Sequence, residues 1–286
     1  RVNAEVESLD VFGRGFGRLS LDLDNTAGNW QGRVLGDAVT GQIAITRPVS
    51  TGAPPGVDEI AAPGRSAIHL LLENFVLPPA RASGVEMTID PRGLPPLHVQ
   101  SQSFTVADMA LGALEFSALP DTHGWKIARL KLVRPESSLS ASGLWEIDGS
   151  GQQSTQIDAT LTSTDFGKLL GMLGYAEEVV GGSLKLQSSW SWPGAPTAFR
   201  LARADGNLIF SLENGRIPNI SPGAGRLLGA LDLGSVMRYL TLDFSNVFGK
   251  GLSFESIKGK VAVEKGNAYT RDLAIHTPGA DMGLSG

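Results

Sequence analysis

Period-two alternation is the feature that most narrows what this chain can fold into. Leu19, Leu21 and Leu23 alternate with Ser20, Asp22 and Asp24, and Ile157, Ala159 and Leu161 alternate with Gln156, Asp158 and Thr160. Successive side chains of a strand point to opposite faces, so each run makes a strand with one apolar and one polar side. Strand-like runs cover residues 2–12, 15–24, 32–46, 66–77, 85–90, 97–106, 111–119, 125–133, 138–147, 155–162, 183–192, 206–213, 239–247, 252–264 and 268–276. With 36 glycines and 16 prolines the chain has many turn residues, and the connections are mostly short. Such a succession predicts a mainly β fold with antiparallel pairing. About fifteen strands in one open sheet normally curl or split. Periodicity alone therefore favours a β-sandwich or closed barrel with a solid core over an open sheet.

Two stretches break the pattern and predict short helical insertions. In 165–174 (DFGKLLGMLG) Asp165 can cap a helix, Leu169, Leu170 and Leu173 form its apolar stripe, and Gly174 can stop it. Residues 222–238 predict a second helix. Ser221 is a good N-cap, Pro222 fits the first helical position, and Leu227, Leu228 and Leu231 share a face. That face packs onto the chain's own sheet, or caps it, or meets a partner. Arg226 sits at the helix start, where free N–H groups and the helix dipole favour an anion. It is a candidate phosphate-headgroup contact, with a solvated arginine as the plainer reading. Residues 47–65 (RPVSTGAPPGVDEIAAPGR) read as a proline- and glycine-rich loop, the best local candidate for mobility.

Several chemistries are excluded or left without support. The net charge of −5 argues against a general affinity for nucleic acid. Without cysteine there is no thiolate metal site, disulfide or thiol nucleophile. His69, His98, His123 and His276 are scattered, with no partner at metal-ligand spacing, and read as surface or strand-end residues. Asp22-Leu23-Asp24-Asn25 lacks the glycine and distal glutamate of a calcium loop, and Gly13–Gly17 reads as a hairpin turn rather than a dinucleotide motif. No GxSxG, HExxH or P-loop is present. The expectation is a protein that is not an enzyme and needs no metal or cofactor.

Four strand faces stand out as apolar. Leu184, Leu186, Trp190 and Trp192 form one, and Leu208, Phe210 and Leu212 a second. Leu240, Leu242 and Phe244 form a third, and Val261 with Val263 a fourth. They are either ordinary core beneath the helical insertions or the lining of an apolar groove.

A set of motifs in fixed order bears on that choice. They are 139–145 (LSASGLW), 165–175 (DFGKLLGMLGY), Gly181-Gly182, Trp192-Pro193-Gly194-Ala195-Pro196, the helix-to-strand junction 221–248, and 246–259 (NVFGKGLSFESIKG). Together they resemble the AsmA-like family, in particular its large YhdP-type members from Gram-negative bacteria. The likeness is sharp over 130–286 and general before that. It implies an elongated, curved antiparallel sheet forming a β-trough with an apolar inside. Residues 1–160 would then be an amphipathic trough segment and 161–286 the family's C-terminal region, in one continuous sheet. It also implies intermembrane phospholipid transport across the periplasm, affecting outer-membrane lipid homeostasis and permeability. The implied partners are phospholipid, membrane contacted through segments outside this fragment, and envelope proteins, with no nucleic acid. The parent chain is expected to be anchored in the inner membrane by an N-terminal helix outside the fragment. The alternative is a periplasmic scaffold with a dry β-core and no lipid cargo. A β-rich hydrolase or carbohydrate-binding domain is a third class, which the scattered acids do not suggest.

Overall fold

A computed structural model describes residues 1–11, 13–48, 65–79, 89–175, 179–218, 251–270 and 272–284. The first strands are β1 (Val2–Val6), β2 (Asp10–Val11), β3 (Arg14–Gly15), β4 (Leu19–Thr26), β5 (Asn29–Gly36), β6 (Val39–Thr46) and β7 (Ala67–Leu77). Then come β8 (Leu97–Val106), β9 (Met109–Pro120), β10 (Gly124–Val133), β11 (Ser137–Ile147) and β12 (Gln153–Ser163). Helix α1 (Phe166–Met172) precedes β13 (Val180–Pro193) and β14 (Asp205–Ile217). The last strands are β15 (Leu252–Glu264), β16 (Asn267–Thr270), β17 (Leu273–Thr277) and β18 (Ala280–Leu284).

Sixteen of these strands form one sheet, in the order β1-β4-β5-β6-β7-β8-β9-β10-β11-β12-β13-β14-β15-β17-β18, with β16 also on β15. The order has two free ends, so the sheet does not close into a barrel, and the barrel reading is overturned. The antiparallel expectation needs one amendment: β7 and β8 pair parallel, which makes the sheet mixed. Residues 2–12 and 15–24 are not simple strands either. Between β1 and β4 the chain leaves the sheet, and β2 and β3 form a hairpin of their own. The run 32–46 divides into β5 and β6 because the chain turns at Asp37-Ala38. Within the expected strand 85–90, only Ile89 and Asp90 are described, and they are not in a strand. The expected strand at 239–247, the helix at 222–238 and most of the loop at 47–65 lie outside the described residues.

The chain divides into two compact units, Arg1–Arg134 with Ser142–Gln153, and Pro135–Ala141 with Ser154–Gly286. In the first, register carries one apolar row across seven strands. Leu21 is opposite Val34, Val34 opposite Gly41, and Gly41 opposite Leu72. Leu72 is opposite Ser101, Ser101 opposite Leu114, and Leu114 opposite Leu132. A neighbouring row runs Ile43, Leu70, Val99, Phe116, Leu130. Leu19, Val34, Leu72, Val99, Phe104 and Leu114 are the buried centre of this core. Phe75 links it to the β2–β3 hairpin, with its ring stacked 6.3 Å from Phe16.

The second unit shows why α1 forms. Asp165 takes extended backbone and its side chain accepts the Lys168 N–H at 3.0 Å. Gly174, at φ +89°, ends the turn. Seven residues are too few for an isolated helix, so packing must hold it. Leu169 and Leu170 are buried against Leu184, Leu212 and Phe254, and each contributes about 1.5–3 kcal/mol.

Leu72 is 1% exposed at the centre of the first core. Leu72→Ala is expected to lower stability by about 2–5 kcal/mol in urea denaturation. A change well under about 1 kcal/mol would mean that this row is not the core.

Candidate functional site

Strand register in the second unit brings three of the four sequence-defined faces together. Leu184 lies opposite Leu212, Leu186 opposite Phe210, and Trp190 opposite Gly206. On the next strand Leu208 lies opposite Val261 and Gly206 opposite Val263. The face continues on both sides. Leu161 is opposite Leu186 and Ile157 opposite Trp190 on β12, while Ile257, opposite Leu212, is also opposite Ile275 on β17. The residues between point the other way, so Lys185, Gln187, Ser211, Lys258 and Lys260, together with the exposed Ile209, line a depression on the reverse side. Leu240, Leu242, Phe244, Leu227, Leu228, Leu231 and Arg226 lie outside the described residues.

This apolar face is covered unevenly. At one end of the strands α1 seals Leu184 and Leu212, which are buried. At the other end residues 195–203 fold back over the sheet. The Trp192 indole N–H donates to the Ala195 carbonyl at 3.0 Å. Phe199 sets its ring edge-on against both Trp190 and Trp192, at centroid distances of 5.8 and 5.0 Å. Leu201 packs in the same cluster as Trp190, Leu208, Val261 and Val263. Trp190 needs a glycine across from it, because a Cβ on Gly206 would stand 2.4 Å from the indole ring. Between the two covers Leu186, Leu208, Phe210 and Val261 are only half-buried. From Leu184 to Trp190 the strand advances roughly 20 Å.

Two of the four histidines, His69 and His98, depart from their sequence reading. The parallel pairing of β7 and β8 puts His69 directly beside His98, with ring centroids 6.1 Å apart. Gln100 Nε2 lies 3.1 Å from His98 Nε2, and His98 Nδ1 is buried without a hydrogen-bond partner among the described residues. Both rings, with Asp24, Gln31, Arg33 and Gln42, line a depression on the first unit. On the same face, across β9 and β10, Glu115 and Arg129 are ion-paired at 3.0 Å. Burial first, and then His98, hold the His69 imidazole below its ordinary value of 6.5. No local motif announces this pair, because it depends on a parallel register that sequence spacing does not carry. Among the described residues no group of three or more metal-ligating side chains is present. No described helix is long and apolar enough to cross a membrane.

A single mixed sheet of sixteen strands that does not close into a barrel, with few helices among the described residues, defines the class of large open-sheet β proteins. The sequence model of the YhdP protein family matches residues 1–286, and the chain belongs to that family. It is similar to the intermembrane phospholipid transporter YhdP of Escherichia coli (strain K12), with 28% identity over 151 residues. That match covers 52% of this chain and 12% of the relative's length. No solved structure matches the chain.

The depressed His69 has a stability consequence with a definite sign. The unfolded histidine takes up its proton near 6.5 while the folded one resists. Stability is therefore unaffected above that value and falls as pH drops through it toward the folded value. The thermal midpoint of the native protein is expected to fall more between about pH 7.5 and 5.5 than that of His69→Gln. Parallel pH dependence in the two proteins would remove His69 from this role.

Proposed function

We propose that the chain carries phospholipid between membranes, with acyl chains lying on the apolar face of its second unit and headgroups in water. The observation that carries this reading is the half-buried stretch of Leu186, Leu208, Phe210 and Val261 between two sealed ends. A dry core would leave such residues covered. The Escherichia coli relative, named an intermembrane phospholipid transporter, supports the same reading.

The physical need is large. A phospholipid has about thirty methylenes, and exposing them costs on the order of 20 kcal/mol at about 0.8 kcal/mol each. A free lipid therefore does not cross an aqueous space at a useful rate, and a continuous apolar surface removes most of the barrier. No bond is made or broken, so no catalytic group, metal or cofactor is required. The compartment on this reading is the periplasm, between inner and outer membranes, where the absence of cysteine causes no difficulty. Envelope proteins at either membrane are the natural partners.

A photoreactive residue in place of Phe210 in the full chain, irradiated in cells, is expected to yield phospholipid adducts by mass spectrometry. The same residue in place of Asn207, which is exposed on the reverse face, is expected to yield none. Leu208→Asp puts a carboxylate on the apolar face, which disfavours burial by several kcal/mol. It should cut capture at Phe210 by more than about tenfold, with the fold retained by circular dichroism. Folded protein that captures no lipid at Phe210 would favour the dry scaffold.

A further inference from the structure

We infer that the end of the second unit covered by residues 195–203 is a contact site for the phosphate of a lipid headgroup, made by Arg203 and Lys265 with Arg200 beside them. This rests on the lipid reading of the apolar face. The cations are far apart in sequence, and the backbone brings them together. Lys265 and Gly266, at φ +50° and +85°, make the turn between β15 and β16. A Cβ on Gly266 would stand 3.0 Å from the Ala202 Cα, so this turn is seated directly on the Leu201–Arg203 segment. The Lys265 N–H donates to Asp205 Oδ1 at 3.1 Å, tying the turn to the start of β14.

Arg200, Arg203 and Lys265 are all exposed. Arg200 donates to the Phe199 carbonyl at 2.7 Å. Among the described residues, neither Arg203 nor Lys265 is ion-paired with a carboxylate. The acids nearby in sequence are Asp205, which accepts from the Lys265 backbone, and Glu264. The α1 end of the same face is different. There Lys168 Nζ lies 3.2 Å from Glu136 Oε1 and 3.8 Å from Asp165 Oδ2, so its charge is already matched.

One apolar face thus has an end where the cation is ion-paired and an end where, among the described residues, Arg203 and Lys265 are not. Leu201 joins the cations to the face, because it packs with Trp190, Leu208 and Val261 while Arg200 and Arg203 flank it in water. The acyl chains of one bilayer leaflet span about 15 Å, which fits the roughly 20 Å from Leu184 to Trp190. A molecule with acyl chains on the face and a phosphate at Arg203 and Lys265 uses both features, and charge-assisted hydrogen bonds to phosphate are the strong kind. A neutral glyceride would use only the first, and inorganic phosphate only the second.

The test uses the full chain with a photoreactive residue at Phe210, offered vesicles containing phosphatidylglycerol or an emulsion of diacylglycerol with the same acyl chains. The comparison variant is Arg203→Gln with Lys265→Asn, the asparagine chosen because it tolerates the left-handed turn. Lys168→Gln serves as the control at the other end. Native protein and the Lys168→Gln control are expected to capture phosphatidylglycerol about tenfold better than diacylglycerol, and the double variant to lose that preference while still capturing both. Millimolar inorganic phosphate is expected not to compete. A preference unchanged in the double variant overturns the headgroup site and leaves the lipid reading standing. Inorganic phosphate that binds through Arg203 and Lys265, with no preference between the two lipids, makes this a free-phosphate site and also overturns it. Capture of neither lipid by folded native protein sinks the lipid reading itself, and the headgroup site with it.

Discussion

An open sheet satisfies its backbone but not its apolar face, and that imbalance governs the rest of the molecule. Strand-to-strand hydrogen bonds can extend the sheet indefinitely, because each new strand satisfies the last. Side chains do not work this way. Each strand adds another row of leucine, valine or phenylalanine that water disfavours. Cover has to come from short segments between strands. In the second unit α1 and residues 195–203 supply it where the strands end. The two covers are built differently. The first is a capped helix held by two buried leucines, whereas the second is an irregular segment held by aromatic edges and an indole hydrogen bond. Neither covers the face completely, and Leu186, Leu208, Phe210 and Val261 stay half-buried.

How much of this is legible in the sequence depends on the range of the interaction. Helix α1 was readable because its signals are local: Asp165 caps, Leu169 and Leu170 pack, Gly174 terminates. The faces of β13, β14 and β15 were readable one at a time, since alternation within a strand is also local. That Leu186 meets Phe210, and that Leu208 meets Val261, is a matter of register, which sequence alternation restricts only to steps of two. The break between β5 and β6 is marked only by Gly36-Asp37, a turn signal short enough to be lost between two alternating runs. The parallel pairing of β7 and β8 was the least legible feature. The prolines at 78–79 mark only that the chain leaves the strand, and nothing nearby says on which side or in which direction it returns. The His69–His98 pair follows from that return and was hidden with it.

The apolar face is also not uniform along its length, and on the lipid reading this matters for movement as much as for binding. Ser188 lies in the middle of β13 on the apolar side, between Ala159 and Leu208 in register. Its hydroxyl and the small alanine interrupt what would otherwise be a continuous row of large side chains. Leu186, Leu208 and Phe210 are already half-buried by their neighbours, so an acyl chain gains only the area that remains. At about 25 cal/mol per Å², a partly covered surface holds each methylene less tightly than a closed pocket would. A deep pocket would bind one lipid well and release it slowly, since affinity differences fall mostly on the rate of leaving. A shallow, interrupted face lets each methylene exchange one apolar contact for a similar one as the chain slides. The free energy is then spread over many small steps, and the fixed points are left to the strand ends, where charge and cover change abruptly.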